Sequence, residues 1–284
     1  MTGADFFPPA FWAYQGAFAL QALAVLLFFA YALAPRRELS LSATIALSLA
    51  AGLQALFMLN LGLSEGRLTL SSGFGALCFW SFLLTILVVW VEWRHQLGLL
   101  GAFLAPLSAL MLLMGFRFVK ADAAPILGLA EGLLVLHVSL AMLSYACYTV
   151  AAGVAVAFLV QERQLKRKLL GSLTYQLPPL SDLESLAALF AWAGTLALGV
   201  SLAVGFVWQQ SLGLAAILGD PKVRFSILIW LAYAGGSLLR SQSALRGRRF
   251  AYLLLILFLA IFFGYYLINI YFGGHDFLKP AVGA

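Results

Sequence analysis

Long apolar stretches alternate with short polar segments along almost the whole chain. A transmembrane helix needs about 20 mostly apolar residues to cross a hydrocarbon layer of about 30 Å. Eight stretches meet this requirement, at approximately residues 10–34, 41–63, 73–93, 97–116, 127–161, 183–207, 225–240 and 250–272. The pattern predicts an all-α fold: a polytopic membrane helix bundle of about eight transmembrane helices, with residues 1–284 forming a single integral membrane domain.

The composition agrees with a membrane protein. Hydrophobic residues make up 63% of the chain and charged residues only 10%, whereas a soluble domain carries roughly 25% charged residues. This balance excludes a soluble enzyme, a nucleic-acid-binding domain and a disordered protein. We therefore expect the surface to contact the lipid bilayer, and we expect no nucleic-acid partner.

Lysine and arginine are distributed unequally between alternate loops, and this asymmetry predicts the orientation. Eleven of them fall in one set of loops: Arg36, Arg37, Arg94, Arg163, Lys166, Arg167, Lys168, Arg240, Arg246, Arg248 and Arg249. Six fall in the other set: Arg67, Arg117, Lys120, Lys222, Arg224 and Lys279. Because the richer set stays in the cytoplasm, both termini are predicted to lie outside. One outer loop, residues 208–224, is moderately apolar and is expected to form an external interfacial segment.

The chain has three histidines, and a histidine at membrane depth is a candidate functional residue. His95 lies in a tight inner loop, where we expect a solvated side chain. His137 lies near the outer end of the fifth and longest apolar stretch. At helical spacing its face continues through Ala141, Ser144 and Tyr148, which form a small and polar stripe. This stripe faces either a neighbouring helix or a cavity.

His275 follows the last apolar stretch, after Gly273 and Gly274, which let the chain turn along the membrane surface. His137 and His275 are therefore predicted at the same outer depth. A six-coordinate haem iron can take two imidazoles as its axial ligands. Spacing and depth alone leave a second interpretation open, in which the two histidines are unrelated.

Other chemistry is less well supported by the sequence. Cys78 and Cys147 each lie within an apolar stretch without a CxxC or CxxCH pattern, so we expect buried thiols and no covalently attached haem. Glu92 and Glu131 lie near the ends of spans, where we expect water to reach them. A transporter is disfavoured, because almost no charged residue is predicted at the midplane.

Small residues in two spans allow close helix packing. They are Gly194, Gly199 and Gly205 in the sixth span and Gly235 and Gly236 in the seventh. We expect them to serve mainly internal packing. Contact with a second membrane subunit is the alternative, and it would suit a structural or regulatory subunit that needs no cofactor.

Several segments together resemble the CcsA/CcmC/HemX superfamily of cytochrome c assembly proteins. The sequence Leu136-His137-Val138-Ser139-Leu140-Ala141-Met142-Leu143-Ser144-Tyr145-Ala146 is similar to the signature around that family's first external haem-ligand histidine. The segments 66–72, 161–168 and 246–249 resemble an outer loop, the end of the histidine-bearing helix and the inner loop before the last span. The resemblance covers about residues 45–277 and agrees with eight spans.

The tryptophan-rich external motif of the family is degenerate in this chain. Only Asp220-Pro221-Lys222 and the flanking tryptophans Trp208 and Trp230 remain, and Gly213, Ile217, Gly219 and Phe225 stand at the family's tryptophan positions. A histidine in the span before the last is also missing, with its position near Leu238. These departures argue against a full synthase that exports haem and attaches it to apocytochrome, so we expect a protein that is not an enzyme.

The resemblance implies a haem-handling role in the bacterial cytoplasmic (inner) membrane. His137 and His275 are 138 residues apart, which is similar to the spacing of the family's two external histidines. The resemblance therefore implies that they are the axial ligands of a non-covalent haem b. The residues expected around the haem propionates or in the pocket are Trp208, Asp220, Lys222, Arg224, Arg67 and Arg117. Expected partners are another membrane subunit (CcsB-like or another cytochrome assembly factor) or apocytochrome. The alternative is a HemX-like regulatory or structural assembly subunit without bound haem.

Overall fold

The computed structural model describes residues 11–65, 70, 73–116, 129–168, 178–211 and 221–271. Within these ranges, the side chains at 64–65, 73, 129–131 and 265–271 are not described. The described residues form eight α-helices and no strand: α1 (Phe11–Leu33), α2 (Arg37–Glu65), α3 (Gly73–His95), α4 (Gly98–Gly115), α5 (Leu129–Lys166), α6 (Leu180–Ser211), α7 (Pro221–Ser241) and α8 (Arg248–Tyr271). The predicted all-α bundle is confirmed.

Seven of these helices, α1 to α7, are long and apolar enough to cross a membrane. That finding concerns the described residues only, and the described side chains of α8 end at Gly264. Large apolar side chains are exposed on the outside of the bundle, for example Leu33, Leu63 and Leu26. Many exposed large apolar side chains of this kind suit lipid and not water. The chain is therefore a multi-pass membrane protein.

Consecutive helices run antiparallel, as contacts near both ends of the bundle show. Residues from the starts of α1 and α3 pack with residues from the ends of α2 and α4 in one apolar cluster: Ala13, Tyr14, Ala17, Phe57, Leu61, Phe74, Cys78 and Leu112. At the opposite end, Glu184 near the start of α6 pairs with Arg240 near the end of α7, with Oε1 3.5 Å from Nε. The starts of the odd-numbered helices and the ends of the even-numbered helices therefore share one end, here named the His137 end. That the His137 end lies on the outer side of the membrane stays a prediction.

Helix α5 lies at the centre of the bundle. It contacts α3, α4, α6 and α8 and is the most buried of the membrane-spanning helices. Its 38 residues span about 57 Å at 1.5 Å per residue. Because this length exceeds the hydrocarbon layer, the helix extends beyond the layer, as the sequence predicts.

A buried polar cluster joins the first four helices. It consists of Gln21 (α1), Gln54 (α2), Ser81 and Thr85 (α3) and Ser108 (α4), and all are at most 4% exposed. The Nε2 groups of Gln21 and Gln54 donate to Ser81 Oγ at 3.2 and 3.1 Å. Ser81 Oγ in turn donates to the main-chain oxygen of Ser108 at 2.8 Å. One hydroxyl group thus connects four helices inside the membrane-spanning region.

Replacing Ser81 with alanine is expected to lower the free energy of unfolding by about 2 kcal/mol, because Gln21 Nε2, Gln54 Nε2 and Ser108 O each lose a buried hydrogen bond. Gln21 Nε2 keeps its second bond, to Thr85 Oγ1 at 2.8 Å. Thermal unfolding in detergent measures this change. Ser48→Ala is a matched control, since among the described residues the hydroxyl of Ser48 bonds only to Thr44 O in its own helix. Equal stability of the two variants would contradict the proposed importance of the cluster.

The prediction that water reaches Glu92 is wrong. Its side chain is 3% exposed, and its Oε1 accepts a hydrogen bond from Gly101 N at 3.2 Å in the first turn of α4. The positive dipole and N–H groups of a helix N-terminus explain how a carboxyl group is accommodated at this position. Glu92 thus fixes the α3–α4 hairpin. The side chain of Glu131 lies outside the described residues.

Candidate functional site

His137 lies in the third turn of α5, with its imidazole against α6. Its Nδ1 is 2.7 Å from the main-chain oxygen of Ser201 and 3.1 Å from Ser201 Oγ. The hydroxyl proton of Ser201 is directed elsewhere, because Oγ donates to the main-chain oxygen of His137 at 2.9 Å. Both neighbours of Nδ1 are therefore acceptors, so Nδ1 carries the proton of the neutral ring.

This arrangement leaves Nε2 with its lone pair. Among the described residues, the imidazole makes hydrogen bonds through Nδ1 alone. A histidine that binds a metal through one ring nitrogen usually donates the other N–H to a carbonyl or carboxylate, which fixes the tautomer and the ring orientation. Ser201 provides that second interaction. The side chain of His137 is thus prepared to act as a ligand through Nε2.

Gly205 provides the space for the imidazole. A Cβ atom at this position would lie 2.7 Å from His137 Nδ1 and 2.8 Å from Cε1, both closer than van der Waals contact allows. Gly205 is four residues after Ser201, so the two residues share one face of α6. Together they hold the ring from its Nδ1 side.

The stripe that continues from His137 faces a neighbouring helix and not a cavity. Ala141, Ser144 and Tyr148 are all buried. A Cβ on Gly194 of α6 would meet the ring of Tyr148 at 2.6 Å and the main-chain oxygen of Ser144 at 3.1 Å. This result decides between the two alternatives that the sequence leaves open.

The glycines of α6 serve internal packing, as predicted. Besides Gly194 and Gly205, Gly199 lies against Trp230 of α7, where an added Cβ would be 2.8 Å from Nε1. Trp230 Nε1 also donates to Thr195 O at 3.0 Å. In α7, Gly236 lies against Leu253 of α8, while nothing lies within 4 Å of an added Cβ at Gly235.

The structure places only some of the other predicted residues. His95 is exposed at the end of α3, far from the His137 end, as expected for a solvated side chain. Trp208 is half-buried near the end of α6. At the start of α7, Lys222 is half-buried and Arg224 is exposed. His275, Asp220, Arg67 and Arg117 lie outside the described residues, so the pairing of His137 with His275 stays a prediction.

Of the predicted interfacial segment, 208–211 belongs to α6 and 221–224 to α7, and 212–220 lies outside the described residues.

The two cysteines match the expectation of buried thiols. Cys78 and Cys147 are both buried and free. Cys78 lies in α3 and Cys147 in α5, one residue before Tyr148. Their positions inside the bundle agree with a role in packing.

Sequence reasoning did not identify Ser201 and Gly205 as partners of His137. The signal was present as small residues at a spacing of four in the sixth span, but small residues at this spacing are common wherever helices pack closely. Only the register between α5 and α6 shows that these two residues meet the histidine.

Comparisons with known proteins agree with this architecture. The family model described as cytochrome c assembly protein matches residues 70–275. Protein HemX of Bacillus subtilis is 25% identical over 257 residues, which cover 90% of this chain and 93% of that protein. The cytochrome c biogenesis protein CcsA of Guillardia theta is 25% identical over 226 residues, covering 73% of this chain and 75% of CcsA. An uncharacterized 28.8 kDa protein of Azospirillum brasilense is 31% identical over 147 residues, about half of each chain. The family match covers well over half of the sequence, and the chain therefore belongs to the cytochrome c assembly protein family.

Proposed function

We propose that this protein holds a non-covalent b-type haem at the outer face of a bacterial cytoplasmic membrane, with His137 and His275 as the axial ligands. The observation that carries the proposal is the hydrogen bond from His137 Nδ1 to Ser201 O. It fixes the tautomer in which Nε2 is the free ligand nitrogen. Haem iron is commonly held by an imidazole nitrogen, and Nε2 of His137 is a nitrogen of this kind.

Ser201 and Gly205 form a seat for the imidazole of His137, and this seat holds the ring in one position, which suits a ligand of iron. Ser201 bonds to both the ring and the main chain of His137, and Gly205 leaves room for the ring and no more. Such a seat restricts the rotamers of the side chain before binding, which lowers the entropic cost of forming a metal bond. When bound, haem would supply electron transfer or act as the cargo of cytochrome assembly.

The protein itself is proposed to hold or relay haem and to catalyse nothing. The departures from the family motif at Gly213, Ile217 and Gly219 remove aromatic surface that could stack on a haem, and Phe225 keeps a ring smaller than an indole. Leu238 stands near the position of the family's histidine in this span and is about half exposed on α7. These residues support a holding or assembly role, next to another membrane subunit or apocytochrome, over a complete synthase.

A second candidate is a HemX-like structural or regulatory subunit without haem. The close packing of α6 against α5 and α7 favours it, because a tightly packed helix bundle can serve as a scaffold without any cofactor. A protein that holds haem should contain iron, and a subunit without haem should not.

The absorption spectrum of the purified protein in detergent, oxidised and reduced, separates the two candidates. We expect haem-loaded wild-type protein to give the spectrum of a six-coordinate b-type haem. His275→Ala should change that spectrum to one of a five-coordinate or exchangeable haem, and His95→Ala should leave it unchanged. A protein that contains no iron, and that gives the same spectrum with added haem in wild type and His275→Ala, would support the second candidate.

A further inference from the structure

Two polar groups at the His137 end of α6 have no hydrogen-bond partner among the described residues. The side chain of Gln209 is 7% exposed, and its Oε1 is buried without a partner among the described residues. The indole Nε1 of Trp208, the preceding residue, is buried and unpaired in the same way. An unpaired buried polar group costs free energy, so two adjacent ones indicate a partner that comes from outside the described chain.

Both residues continue the face of α6 that holds His137. Ser201, Gly205 and Gln209 follow one another at intervals of four residues, and Trp208 is seven residues after Ser201, which is close to two full turns. Gln209 lies about 6 Å further along the helix axis than Gly205. The two unpaired groups therefore lie just beyond the imidazole, on the same side of α6 and toward the end of the bundle.

The chemistry of these groups suits a carboxylate. An indole offers one N–H donor, and a carboxamide offers two. A half-turn of the Gln209 carboxamide exchanges Oε1 and Nε2, so its donors can take the unpaired position. Hydrogen bonds to an ionised acceptor are stronger than those to a neutral acceptor, so a carboxylate is the group that would satisfy both residues best.

We propose that Gln209 and Trp208 bind a propionate carboxylate of the haem whose iron is held by His137. This inference rests on the proposed function and deepens it, since it adds Gln209 to Trp208, which the family resemblance already placed near the haem, and gives both the role of positioning the macrocycle. Arg224 is exposed at the His137 end, at the start of α7, and adds a favourable electrostatic field for the same group.

The test compares the affinity for haem with that for haem dimethyl ester, in which both propionates are esterified and uncharged. The variants are Gln209→Leu, which removes the amide donors at nearly constant volume, and Trp208→Phe, which removes the indole N–H and keeps an aromatic ring. Gln210→Leu is the matched control, because Gln210 is the exposed neighbour of Gln209. We expect wild type and Gln210→Leu to prefer haem over the ester by about tenfold or more. In Gln209→Leu and Trp208→Phe that preference should fall to less than about threefold.

The ratio of the two affinities separates this role from a structural one, because a general loss of stability weakens both ligands equally. An unchanged ratio in both variants, with haem still bound through His137, would overturn this inference and leave the proposed function intact. If Gln209→Leu does not fold, the ratio for Trp208→Phe decides by the same criterion. If wild-type protein binds neither ligand, or if His137→Ala protein binds both ligands as tightly as wild type does, the proposed function and this inference are both overturned.

Discussion

Haem binding is expected to weaken by about 100-fold or more when His137 is replaced by alanine. The substitution removes the only imidazole that the described structure places at the His137 end, and second-sphere contacts cannot replace a bond to iron. Haem titration of the purified protein, followed by absorbance, measures the dissociation constant.

His95→Ala is the matched control for this substitution. His95 is exposed at the end of α3, so its loss should leave the dissociation constant within about twofold of wild type. Circular dichroism and thermal unfolding show whether His137→Ala keeps its helices. A folded His137→Ala protein that binds haem as tightly as wild type would rule out His137 as a ligand.

The second large effect is expected from Gly205→Ala, although Gly205 would not touch the iron. The new methyl group would lie 2.7 Å from His137 Nδ1, so the ring must move away from α6. That movement breaks the hydrogen bond to Ser201 O, which fixes both the tautomer and the direction of Nε2. We expect haem affinity to fall by about tenfold to 100-fold, the range seen when the partner of a ligating histidine is lost.

Gly235→Ala provides the control for Gly205→Ala. Nothing lies within 4 Å of an added Cβ at Gly235, and both positions are helical glycines in membrane-spanning helices. Gly235→Ala should bind haem like wild type. If the two alanine variants bind haem equally well, the proposed seat for the imidazole has no role in binding.

The helices could be predicted well from sequence, because a hydrocarbon layer sets the length of an apolar stretch. The boundaries were less certain where polar residues continue a helix. The seventh span was predicted at 225–240, but α7 begins at Pro221 and includes Lys222 and Arg224. Proline is favoured in the first turn of a helix, and long basic side chains can reach the membrane surface from a helix end. Hydropathy alone detects neither effect.

The partners of buried polar residues could not be predicted, because they depend on contacts between distant helices. Glu92 lies near a span end in sequence, yet the first turn of α4 covers it. His137 could be recognised as a candidate ligand, but Ser201 is 64 residues away. Their contact requires the register that the glycines of α6 set against α5.

Electron paramagnetic resonance of the ferric, haem-loaded protein tests the central claim most directly, because it reports the ligands of the iron. The account predicts a low-spin signal from two imidazole ligands in wild type, and its replacement by a high-spin signal in His137→Ala and in His275→Ala. A low-spin signal that persists unchanged in both variants would contradict it.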